Sequence, residues 1–160
     1  MVFWRRPGYR RRQAPYFLVE ISMSNELNTC DELYYYTLAH GDPSFIHQHA
    51  VDAISAQNHN ASDKPIKLTF ALVGLYLHVE KQFTGKQVQL AHMKLGQNRQ
   101  VWPTFSVPQA RGTITVNDVL SAPAGPDRDR IIHQWCSSVW EAFCDNRQLI
   151  EKLLTENGII

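Results

Sequence analysis

The seven histidines of this 160-residue chain are unevenly placed, and four of them share short stretches with carboxylates or a thiol. Cys30, Glu32 and His40 fall in one segment. His47, His49 and Asp52 fall in the next, and His78 and Glu80 in a third. Imidazole and carboxylate offer lone pairs at fixed positions, so inward-facing sets on adjacent helices build metal sites. A mixed nitrogen and oxygen set suits Zn or Fe. The candidate ligands are His47, His49, Asp52, His78, Glu80 and Glu32. Asp52 and Glu80 are also the candidate catalytic carboxylates.

Spacing narrows the set. Side chains at i and i+2 point about 200° apart on a helix, so His47 and His49 do not both face one ion. His49 and Asp52, at i and i+3, share a face, with Asp52 either a ligand or the group that orients the ring. His78 and Glu80 diverge as well. H-E-x-x-H and paired E-x-x-H signatures are absent. Two plainer readings remain beside the metal site. His49 and Asp52 form a buried polar pair that fixes helix register, or they do acid–base work without a metal. His59 and His133 read as surface residues, and the Tyr34-Tyr35-Tyr36 run and the tryptophans as packing.

Cys30 stands at an expected helix start, but Asp31 and Glu32 oppose a thiolate there. Cys136 and Cys144 lie eight apart on an apolar pattern and read as buried. There is no C-x-x-C pair, so three free thiols in a reducing, cytoplasmic setting are expected. No glycine-rich phosphate loop and no G-x-S-x-G occurs.

Helical periodicity supplies the elements that must position these groups. Thr29-x-x-Glu32 predicts a capping box at the first helix, and Gly41 ends it. Asp42-Pro43 opens a second helix whose inner face carries Phe45, His49, Asp52, Ala53 and Ala56. The third helix begins near Asp63 with Pro65 in its first turn. It is apolar nearly all round over residues 66–79, which makes it the central one. Gly74 suits a close helix crossing. Thr84 caps a fourth helix with Val88, Ala91, His92 and Leu95 inward. Trp102-Pro103 opens an irregular crossover, and Thr115 caps a short helix. A long stretch over residues 127–156 follows, kinked near Asp145-Asn146. Strand-like alternation is confined to residues 111–116. The expected fold is all-α: an antiparallel bundle of about five to six helices with one Trp-Pro crossover.

Composition excludes other classes. Hydrophobic residues make up 44% and charged residues 19%, enough for one domain with a real core. The net charge of +1 argues against a nucleic-acid binder. No apolar run reaches the ~20 residues of a membrane span. Residues 1–24 differ from the rest. Trp4-Arg5-Arg6-Pro7-Gly8-Tyr9-Arg10-Arg11-Arg12 lacks amphipathic periodicity and reads as a disordered basic arm, or as upstream sequence translated ahead of a start at Met23. It is the only feature pointing to nucleic acid. Residues 25–160 form the expected domain, with a homodimer expected if an apolar face stays exposed.

From Cys30 onward the pattern resembles a bacterial helical domain family of unknown function. The matching blocks are Cys30-Asp31-Glu32-Leu33-Tyr34, His40-Gly41-Asp42-Pro43, His47-Gln48-His49-Ala50-Val51-Asp52-Ala53, and Leu72-Val73-Gly74-Leu75-Tyr76-Leu77 through Glu80. The family pattern is H-Q-x-x-V-D-A-x-x-x-Q-H followed by G-L-Y-L-x-x-E. His47, Asp52, Gln57 and Glu80 match it, while Asn58 and Ala71 stand where histidines are usual. The resemblance favours His47 with Asp52, whereas helical spacing favours His49 with Asp52. The function expected is a helical bundle with a His/Asp/Glu pocket for a divalent metal. The alternative is a non-enzymatic bundle that binds a small molecule or a protein.

Overall fold

The structure, a computed structural model, describes residues 16–98 and 101–160, with side chains from residue 28 onward. The order is α1 (Tyr16–Ala39), α2 (His47–Gln57), α3 (Pro65–Lys81), α4 (Gly85–Gln97), α5 (Val116–Ser121), α6 (Pro126–Ala142), a 3-10 turn (Cys144–Asn146) and α7 (Arg147–Glu156). No strand occurs among the described residues, so residues 111–116 are loop running into α5. The fold is all-α, as expected. Among the described residues seven helices replace five or six, because the long last stretch divides at the 3-10 turn.

Local chemistry sets most boundaries. Pro65 opens α3, where a missing N–H costs nothing. Thr84 accepts from the Gln87 N–H while the Gln87 amide accepts from the Thr84 N–H, closing a capping box on α4. Thr115 and Asp118 do the same for α5. After Phe143 the chain tightens into the 3-10 turn. There the Asn146 amide donates to the Phe143 and Ser106 carbonyls and accepts from the Ser106 N–H.

Two expected starts are corrected. α1 is already under way at Tyr16, so Thr29-x-x-Glu32 lies inside a helix and caps nothing. Residues 16–24, expected in the arm, are helical; the arginine run of residues 5–12 lies outside the described residues. α2 begins at His47, not at Asp42-Pro43. The Asp42 carboxylate accepts from the Ser44 N–H (2.9 Å) and the Ile46 N–H (2.6 Å), which wraps a turn through Phe45 at φ 61°. A left-handed residue cannot continue a helix, so the acid caps a turn instead. Cys144, expected to be buried, is exposed because the 3-10 turn swings it off the apolar face of α6.

α3 is the centre. Every residue from Leu68 to Leu77 except Phe70 is buried, and α3 packs against α2, α4, α6 and α7. α2 packs on α1, α3, α4 and α6, so α2, α3 and α6 touch one another pairwise. The core they share includes Ala50, Ala53, Leu72, Leu75, Ile132, Trp135 and Val139. Small residues on α2 and large ones on α6 let the layers interdigitate.

The crossover between α4 and α5 is tied down by side chains. Gln57 donates to the Arg111 (3.2 Å) and Ile114 (2.9 Å) carbonyls and accepts from the Trp135 indole (3.0 Å). The Ser138 hydroxyl accepts from the Thr113 N–H at 2.6 Å. Thus side chains satisfy several of the loop's backbone groups in place of secondary structure.

Gly85, the first residue of α4, lies against the Phe45 carbonyl, and a Cβ there would overlap that backbone atom. Backbone cannot swing aside as a side chain does. Gly85→Ala is expected to lower stability by about 2 kcal/mol or more. Urea unfolding of the two proteins at neutral pH checks this; equal midpoints would refute the close approach.

Candidate functional site

Three histidines meet where α2, α3 and α6 meet. His49 comes from α2, His78 from near the end of α3, and His133 from the second turn of α6. The His49 and His78 rings stack with centroids 3.6 Å apart at 21°. His78 Nε2 lies 3.0 Å from His133 Nδ1. His49 is buried, His78 half-buried and His133 exposed, so the cluster runs from core to surface. A shallow cavity of about 270 Å³ opens over its outer part, walled by His78, Val79, Gln82, His133 and Ser137.

The tautomer of His78 follows from its neighbours. Its Nδ1 lies 3.3 Å from the Phe83 carbonyl, which can only accept. The proton therefore sits on Nδ1, and Nε2 presents a lone pair to His133. This carbonyl is fixed by the αL turn at Gln82, the residue that ends α3.

Burial sets the charge of the group. It pushes His49 down to about 3, helped by the nearby His78 and His133, and His78 down to about 4, helped by His133. Partial cover lowers His133 too, although Asp129 and Asp42 pull the other way. At neutral pH His49 and His78 are uncharged rings offering lone pairs. Groups titrating so low are poor general bases near pH 7.

The other expected members are placed elsewhere. Asp52 is buried, and its Oδ1 accepts from the Gln48 amide at 3.0 Å. Its Oδ2 has no hydrogen-bond partner among the described residues and fills the space over Gly74, where a Cβ would overlap it. Burial holds this carboxyl well above the usual range. His49 and Asp52 do share the buried face of α2, but no hydrogen bond joins them. His49 Nδ1 is buried and without a partner among the described residues, and the His49 carbonyl accepts from the Cys136 thiol at 3.5 Å. That thiol is pushed up by burial, as an inert core cysteine is.

His47 turns to α1, where Nδ1 meets the Thr37 hydroxyl at 2.8 Å and the ring abuts Tyr34 and Phe45. Glu80 turns to the far side of α3. It accepts from the Trp140 indole at 2.8 Å and pairs with Arg147. Glu32 is exposed on α1. Among the described residues no group of three or more His, Cys, Asp or Glu side chains is arranged to hold a metal ion. The stack explains this for the histidines: parallel rings send their in-plane lone pairs side by side rather than to one point.

His133 is exposed, as its sequence position suggests, but sequence reasoning did not join it to His78 and His49. No local signal marks that contact, because its partner His78 lies 55 positions away on another helix.

Two stability effects of opposite sign follow. The folded values of His49 and His78 lie below the unfolded one, so their contribution is full above pH 6.5 and is lost as pH falls toward 4 and then 3. His49 alone should cost about 2 kcal/mol between pH 6.5 and 5. His49→Leu is expected to show a correspondingly smaller fall in urea unfolding across that range, and an unchanged fall would count against a buried neutral ring. For Asp52 the folded value is raised. Its contribution is full below the unfolded value and is lost as pH rises through the folded one. Asp52→Asn should therefore be more stable than the parent at pH 7, by about 1 kcal/mol or more, with the gap closing near pH 3. A less stable variant at pH 7 would contradict this.

No helix among the described residues is long and apolar enough to cross a membrane. No curated protein and no solved structure matches the chain. One family profile does, over residues 16–144, which takes in α1 through α6 and all three clustered histidines. On that match the chain belongs to DUF5946, a family of unknown function.

Proposed function

We propose that this domain binds a divalent transition metal through His78 Nε2 and His133 Nδ1, the His133 proton moving from Nδ1 to Nε2 as the ion replaces the N–H···N hydrogen bond, and leaving further positions open to water or an outside ligand. The observation that carries the reading is the 3.0 Å separation of those two nitrogens, with His78 oriented by a backbone carbonyl. Metal-bound imidazoles characteristically donate their other N–H to such a carbonyl. An ion about 2.05 Å from both nitrogens would see them at roughly 94°, close to the cis angle of an octahedral site. A separation larger by about 0.3 Å would give the tetrahedral angle.

The low values of His49 and His78 support metal chemistry over acid–base work, because both rings are already neutral. An all-imidazole pair favours Zn or another late first-row ion over Fe, since no carboxylate joins it. Asp52 is not a ligand in this reading, because its carboxyl is turned into the seam against Gly74. Three free thiols support a reducing, cytoplasmic setting.

Zn²⁺ titration against a chromophoric chelator, on protein without a polyhistidine tag, tests this. About one equivalent should bind. His78→Ala and His133→Ala should each weaken it at least tenfold, and His47→Ala should leave it unchanged. Binding should weaken as pH falls and protons compete for the exposed His133 ring. Less than about a tenth of an equivalent, or indifference to His133→Ala, would overturn the proposal.

A further inference from the structure

A larger cavity lies away from the residues of the histidine cluster. It is an open pocket of about 420 Å³ between the first and second helices and the crossover, within the ~300–1,000 Å³ usual for small-ligand sites. Its wall includes Cys30, Asn58, Gln109, Arg111 and Asn117, together with Gln57. Among the described residues that line it, Arg111 is the one that is charged.

The floor is built rather than incidental. Arg111 Nη1 donates to the Gln57 carbonyl at 3.0 Å and to the His59 carbonyl. Gln57 in turn holds the Arg111 and Ile114 carbonyls and the Trp135 indole. The guanidinium is thereby anchored by one nitrogen to the end of α2. Among the described residues its Nη2 and Nε have no hydrogen-bond partner and no carboxylate pairs with it. A pre-set planar fork with two unspent N–H sites matches an oxyanion, and immobilising it beforehand removes much of the entropy cost of using it. The surrounding amides of Asn58, Gln109 and Asn117 donate as well as accept, and so suit the polar body of a small ligand.

We infer that this pocket is a second ligand site, taking a small organic anion whose carboxylate or phosphate pairs with Arg111. It is independent of metal binding at the histidines, so either proposal can fail alone. A carboxylate and a phosphate ester share the chemistry that Arg111 reads, and the two probes below separate them.

Isothermal titration calorimetry of the full chain with succinate and, separately, with glycerol 3-phosphate makes the test. One of the two should bind with a Kd of about 1 mM or tighter. Arg111→Gln should weaken that binding at least tenfold. Because Arg111 also ties the loop at residues 57–59, Asn117→Glu is the companion variant. Residue 117 is exposed in the first turn of α5, where an added carboxylate suits the helix dipole. The fold should persist, and like-charge repulsion should weaken the anion at least tenfold, in a manner that high salt reduces. Binding of neither probe at about 10 mM would overturn the inference. So would binding that survives both substitutions.

Discussion

The contact on which the rest of the molecule depends is the approach of α2 to α3 at Gly74. α3 gives up a side chain at that point, and the Asp52 carboxyl occupies the room. This lets α2 lie close enough for Ala50, Ala53 and Ala56 to pack as core residues, since small side chains are useful only where backbones are near. The same approach fixes the height of α2 along α3, and so places His49 against His78, one turn beyond Gly74. A carboxyl in an apolar seam is costly when ionised. The fold accommodates it with the Gln48 amide as its hydrogen-bond partner, and burial raises its pKa.

With α2 and α3 set, α6 completes the arrangement. Trp135 and Cys136 lie on its buried side, one bonded to Gln57 and the other to the His49 carbonyl. Those two bonds fix the rotation of α6, and that rotation carries His133 to His78. The cluster is therefore a product of three-helix packing. His49 is buried on α2, His78 half-buried on α3 and His133 exposed on α6, and only the junction brings the three together.

This explains what could be read from the sequence. Thr84 with Gln87, Thr115 with Asp118, and Pro65 act within a few residues of themselves, and local chemistry is legible one residue at a time. Gly74 was legible as a crossing point because an apolar helix rarely spends a glycine without a packing reason. His49 and Asp52 were legible as inward residues from period alone. The failures share a cause. Thr29 and Glu32 have capping-box spacing, but whether a box is used depends on whether the preceding turn is itself helical. Asp42 did cap backbone N–H groups, yet the left-handed Phe45 diverted the chain before α2 could start. Glu80 was expected beside the histidines, and the partners that draw it away, Trp140 and Arg147, are distant in sequence. His133 was invisible for the same reason: its partner is on another helix.

Gln57 also has a bearing on the order in which the chain can assemble. One amide joins α2 to residues 111, 114 and 135, contacts spanning 54 to 78 positions. Closing such loops is entropically expensive, so it comes after local helices and nearby helix pairs have formed. The crossover has no regular backbone ladder of its own to hold it meanwhile. Its order is borrowed from α2 and α6, and arrives only once both have docked. The wall of the 420 Å³ cavity is made from this late-forming segment. Its rim is thus the part of the domain most easily opened without disturbing the α2–α3–α6 centre, and partial unfolding there would release Arg111 while leaving the histidine stack in place.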